Sequence, residues 1–113
     1  MSNRLIPDDL VEEALETLRD KCEASAAARA IRLRAEFKRK AIRAKLILEA
    51  VEKTADQRTA WAESHAEYAA ACDLEVQATE NDELLRAQRN DANTIIEAWR
   101  TEQASNRAGG SFR

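Results

Sequence analysis

Eight of the 18 lysine and arginine residues lie in the stretch RAIRLRAEFKRKAIRAK, from Arg29 to Lys45. This stretch holds one acid, Glu36, and sums to +7, whereas residues 1–28 sum to −4 and residues 46–113 to −6. Cations clustered on a helix can neutralise phosphates and release counterions without reading base sequence. The pattern therefore predicts a nucleic-acid backbone contact made by Arg32, Arg34, Lys38, Arg39, Lys40, Arg43 and Lys45.

A second interpretation of the same basic stretch is a solvated face that pairs with acids of a second helix or of another subunit. Acids that can supply this pairing follow in the second half of the chain: Glu63, Glu67, Asp73, Glu75, Glu80, Asp82 and Glu83. The two interpretations make opposite demands. Phosphate binding needs exposed cations, whereas pairing with acids neutralises them.

Other chemistry has little support in the sequence. The single histidine, His65, is more often structural than catalytic in such a position, and Cys22 and Cys72 are fifty residues apart, which favours neither a zinc site nor a redox pair. The carboxylates show no compact acid–base or metal-ligand pattern. We therefore expect no enzyme activity, no metal and no cofactor. The lack of a membrane-length apolar run and of a signal sequence favours the cytoplasm.

Long helices must position these residues, because neither glycine nor proline occurs between Asp8 and Ala108. Pro7 suits the first turn of a helix. We predict an all-α fold, a long antiparallel helical hairpin or coiled coil that assembles into an oligomeric bundle or ring. Helix one spans about 8–55, a turn lies within 55–64, and helix two spans about 65–104, starting at a capping box of Ser64 and Glu67. Residues 1–108 form one domain, and 105–113 a flexible tail.

Helix one is apolar on two faces, which is typical of a helix packed between two neighbours. The main stripe includes Leu33, Phe37, Ala44 and Leu48, and a shorter stripe on the opposite side comprises Ile31, Ala35, Ile42 and Leu46. The chain also has 23 alanines but only 21 leucine, isoleucine, valine and phenylalanine residues, so its own core is thin. One neighbour can be helix two and the other a second copy, so a homo-oligomer is expected.

Helix two carries a heptad pattern, which is the coiled-coil template. Its spacing alternates between four and three residues. Two polar residues, Asn81 and Gln88, interrupt it one heptad apart, and they either specify register or mark a loosely packed part of the seam. The predicted oligomer seam consists of Leu74, Ala78, Asn81, Leu85, Gln88, Ala92, Ile95 and Trp99.

Two segments carry a family resemblance. SHAEY at Ser64–Tyr68, followed by IIEAWRTEQASNRA at Ile95–Ala108, resembles small helical proteins of tailed-phage recombination modules and, more distantly, the UvsY-type recombination mediator. The resemblance implies a helical hairpin subunit that forms a ring and binds single-stranded DNA through a basic helical stretch. It also implies loading of a recombinase onto strands coated by single-stranded-DNA-binding protein. The alternative is a coiled-coil adaptor, or an assembly or regulatory protein, that binds no nucleic acid.

Overall fold

The computed structural model describes residues 5–52 and 54–111, and within them it contains α-helices and no strands, which confirms the all-α prediction. Four helices follow one another along the chain: α1 (Asp8–Asp20), α2 (Cys22–Glu49), α3 (Ala55–Glu63) and α4 (Ala66–Ser111). The chain divides into two compact units, Met1–Ser25 with Leu84–Arg113, and Ala26–Glu83. That residues 1–108 form one domain stays a prediction.

The predicted helix one is two helices in the structure. α1 starts directly after Pro7, with Asp8 and Asp9 in its first turn, where carboxylates stabilise the positive end of the helix dipole. It ends at Asp20, and Lys21 forms a one-residue break before α2. The Lys21 N–H still donates to the carbonyl of Thr17 at 3.0 Å, so the interruption costs little hydrogen bonding.

α2 ends at Glu49 rather than near residue 55, and α3 occupies most of the predicted turn. A capping box explains the difference. The backbone N–H of Gln57 donates to Thr54 Oγ1 at 3.1 Å, and the Thr54 N–H donates to Gln57 Oε1 at 3.4 Å. Because this box stabilises a helix start at Ala55, the chain leaves the preceding helix before Thr54.

The capping box predicted at Ser64 and Glu67 does not form. Ser64 ends α3, and its hydroxyl donates to the carbonyl of Trp61 at 2.7 Å. His65 takes over the capping role, since its Nδ1 accepts from the Glu67 N–H at 3.2 Å. α4 then runs to Ser111, through most of the predicted tail 105–113, whose last two residues lie outside the described part of the chain.

In the unit formed by Met1–Ser25 and Leu84–Arg113, α1 packs on the second half of α4. Ala14, Ala92 and Ile96 form its buried cluster, with Leu18 and Ile95 packed against it. The Glu102 carboxylate accepts from the N–H groups of Leu5 at 2.7 Å and Ile6 at 3.1 Å. A single side chain thus holds the segment that leads into α1.

In the unit Ala26–Glu83, α2 and the first half of α4 run antiparallel, as the ion pairs between them show. Leu46 is the largest fully buried side chain of the described residues, with 1% of its surface exposed. The other buried apolar residues of this unit are all alanines: Ala28, Ala62, Ala71 and Ala78. The thin core expected from composition is therefore present, and it concentrates apolar burial at one leucine.

Candidate interaction surface on helix α2

The face of α2 that meets α4 carries a series of ion pairs. Arg32 Nη1 donates to Asp82 Oδ2 at 2.9 Å and to Glu83 Oε1 at 3.4 Å, and Arg39 Nε donates to Glu75 Oε2. These guanidinium groups lie seven residues apart on α2, and their main partners lie seven apart on α4. The matched spacing fixes the antiparallel register of the two helices.

Two further pairs extend the series toward the end of α2. Arg43 Nε donates to Glu63 Oε1 of α3 at 3.1 Å, and Lys45 Nζ lies 3.6 Å from Glu67 Oε1. Within α2 itself, Lys40 Nζ donates to Glu36 Oε1 at 3.0 Å. Five of the seven cations predicted to bind nucleic acid therefore have an acidic partner in the same chain.

The pairing changes the protonation equilibria of the groups involved. The hydrogen bond to Asp82 raises the pKa of the Arg32 guanidinium, and the hydrogen bonds to Glu75 and Tyr68 raise the pKa of Arg39. The hydrogen bond from Lys40 lowers the pKa of Glu36. Arginine stays protonated in proteins whether or not it is paired, so the pairing fixes where these two charges lie.

Burial distinguishes one of these pairs from the others. The Asp82 side chain is only 7% exposed, whereas the partner carboxylates Glu63 and Glu67 are 46% and 43% exposed. Exposed ion pairs contribute roughly 0–1 kcal/mol each. The ion pairs thus set register mainly at Arg32 and Asp82, where a buried carboxylate needs its donor.

Three cations of the basic stretch, Arg29, Arg34 and Lys38, are exposed and form no ion pair with the described residues. Arg34 and Lys38 line an open cleft of about 220 Å³ in which the remaining lining residues are apolar. Those residues are Ile31, Ala35, Ala71 and Leu74. This flank of α2 therefore combines positive charge with accessible apolar surface.

The outer face of α2, opposite the ion pairs, is apolar and exposed. We call Leu33, Phe37, Ala41, Ala44 and Leu48 the outer stripe. The exposed fractions are 55% for Leu33, 75% for Phe37 and 87% for Leu48. From Leu33 to Leu48, the main stripe predicted from periodicity is thus not covered by another helix of the described structure. The shorter stripe, which ends at buried Leu46, faces α4.

The predicted oligomer seam is used partly within the chain. Ala78 and Ala92 are buried, and Ile95 packs against the buried cluster that contains Ala14 of α1. Leu74 and Asn81 are exposed. Leu85, Gln88 and Trp99 are half-buried. Periodicity had identified the packed side of α4 without indicating that helices of the same chain cover much of it.

In residues 5–52 and 54–111, no group of three or more histidine, cysteine or acidic residues is placed to hold a metal ion. No described helix is both long and apolar enough to cross a bilayer. Comparison with known proteins adds no identification, since neither a family model, nor a curated protein, nor a solved structure matches this chain. The function must therefore be inferred from the surfaces of α2 and α4.

Proposed function

We propose that this chain is a non-enzymatic helical adaptor or assembly protein whose copies associate through the outer stripe of α2. The exposure of Leu33, Phe37 and Leu48 on one helix face carries the proposal. Single exposed apolar residues are ordinary on protein surfaces, but a continuous apolar patch marks an interaction site. The side chains of this stripe recur along most of α2, which gives a partner helix a continuous surface to cover.

The free energy gained by burying the outer stripe can be compared with the free energy that association costs. Full burial of a leucine or phenylalanine side chain stabilises by about 1.5–3 kcal/mol. Association costs on the order of 4–15 kcal/mol in lost translational and rotational freedom. Three large side chains on one helix alone roughly balance the lower part of that range. A stable assembly therefore needs the partner's apolar side chains or complementary charge as well.

The test is the concentration dependence of thermal unfolding of the full chain. Unfolding coupled to dissociation makes the midpoint depend on protein concentration, so a change from about 1 to 100 μM should raise Tm by several degrees. Helicity monitored by circular dichroism supplies the curve. A Tm that stays constant over this range would exclude association linked to folding.

A second candidate function is DNA binding, favoured by Arg29, Arg34 and Lys38, which have no acidic partner in the described structure. Their proposed ligand is single-stranded DNA, whose phosphates can meet the cations while a base covers the apolar cleft. With the resemblance to recombination mediators, this candidate is a phage-type accessory protein for recombination or repair. A recombinase or single-stranded-DNA-binding protein would be its further partner.

For this second candidate, replacement of Arg29, Arg34 and Lys38 by glutamine should weaken binding of labelled oligonucleotides of every sequence. If all three touch phosphate, the slope of log K against log salt should fall by about 2 on single strands. The matched control replaces Arg32, Arg39 and Arg43, which are paired with acids, and should leave the slope unchanged in a folded protein. Failure of the parent chain to bind oligonucleotide at low salt would eliminate the candidate.

A further inference from the structure

Charge restricts what can cover the outer stripe of α2. Cations that have no acidic partner among the described residues lie on both flanks of the stripe: Arg34 and Lys38 on one, and Arg29 on the other. Packing two outer stripes against each other would bring these cations together around an apolar contact. Such like-charge juxtaposition costs several kcal/mol. The stripe therefore favours a partner face that carries acidic rather than basic side chains.

The outward face of α4 in the unit Ala26–Glu83 has the complementary composition. Asp73, Val76 and Glu80 follow a spacing of three and four residues, which places them on one face of the helix. All three are exposed, and Asp73 and Glu80 form no ion pair with described residues. At 100° per residue this face lies opposite the one that carries Glu75 and Asp82 toward α2.

The intrachain register sets the relative height of the two outward faces. Arg32 lies opposite Asp82 and Arg39 opposite Glu75, so each step forward along α2 corresponds to one step back along α4. By this correspondence Arg34 lies level with Glu80. Consider copies related by rotation about an axis parallel to the helices, with no translation along that axis. Arg34 of one copy then lies at the same height as Glu80 of the next.

We infer that the outer stripe of α2 in one copy packs against the Asp73–Val76–Glu80 face of α4 in the next copy, with Arg34 paired to Glu80 across the contact. The inference rests on the proposed self-association and specifies its surfaces. Each copy carries both faces, so the interface is heterologous and can repeat from copy to copy. The same contact neutralises cations of the basic stretch that the intrachain pairs leave uncompensated.

The test is a charge exchange measured on the full chain by sedimentation velocity. Arg34→Glu and Glu80→Arg should each weaken association by on the order of 10- to 100-fold, because each creates a like-charge contact. An equimolar mixture of the two variants should recover the association of the parent. Arg89→Glu and Glu97→Arg reverse exposed charges elsewhere on α4 and should leave association unchanged.

The mixture separates a contact between copies from a contact within one chain. Each single variant has like charges at positions 34 and 80, so a pair within one chain would stay broken in both variants. When copies of the two variants alternate, position 34 of one copy and position 80 of the next carry opposite charges, so a pair between copies is restored. Weakened single variants without recovery in the mixture would overturn the inference and leave self-association standing. A parent chain that is monomeric would instead overturn self-association itself.

Discussion

Replacing Leu33 and Phe37 together by glutamine is expected to dissociate the assembly at micromolar concentration. Both side chains are more than half exposed in the single chain, so the monomer fold loses little packing when they are removed. Because Leu33 is 55% and Phe37 is 75% exposed, covering the rest of both side chains between copies stabilises the contact by roughly 2–4 kcal/mol in total. The association constant should therefore fall by on the order of one to three powers of ten. Glutamine keeps helix propensity close to that of leucine.

The control for this variant makes the same type of change away from the outer stripe. Leu5 and Leu15 are also exposed apolar residues, at 87% and 46%, and neither belongs to α2. The double replacement of Leu5 and Leu15 by glutamine should leave the sedimentation coefficient at that of the parent. Equal loss of association in both double variants would show that general surface hydrophobicity, not the outer stripe, drives the contact.

The second large effect is expected at Leu46, where alanine should lower the free energy of unfolding by about 2–5 kcal/mol. Leu46 is the one large side chain that is fully buried among the described residues, and the other buried apolar residues of its unit are alanines. Small side chains offer little volume with which to fill the cavity that Leu46→Ala would leave. Urea denaturation at fixed protein concentration measures the loss. The effect should be the same at every concentration, because it lies within one chain.

Leu48 offers the matched comparison, two residues further along the same helix but 87% exposed. Leu48→Ala should change the stability of the dissociated chain by no more than about 0.5 kcal/mol. At concentrations where copies associate, it should lower stability, since Leu48 belongs to the outer stripe. A concentration-independent loss at Leu48 as large as that at Leu46 would contradict the assignment of inner and outer faces.

Much of the fold could be predicted from composition and periodicity. The absence of internal glycine and proline, together with Pro7, correctly predicts long helices that start near Asp8. The two apolar faces of α2 were also predictable. Which face meets α4 was not, because periodicity describes one helix at a time. The choice depends on register, which is set by pairs such as Arg32 with Asp82, 50 residues apart in sequence.

Helix boundaries were harder to predict because two segments carry the same local signal. Thr54 with Gln57 and Ser64 with Glu67 both match the spacing of a capping box. Only the first forms, because Ser64 ends α3 and the Glu67 N–H donates to His65 Nδ1 instead of the Ser64 hydroxyl. Which cations of the basic stretch pair with acids also depends on tertiary structure. Its cations look alike in sequence, yet Arg32 and Arg39 pair with acids of α4, whereas Arg34 does not.

The central claim is that copies of this chain associate, and sedimentation equilibrium of the unmodified chain tests it most directly. A single helical chain with an exposed outer stripe should show a weight-average mass of at least twice the monomer value at tens of micromolar. The mass should decrease toward the monomer value on dilution, with helicity retained where the monomer remains folded. A fully helical chain that sediments as a monomer throughout this concentration range would contradict the claim.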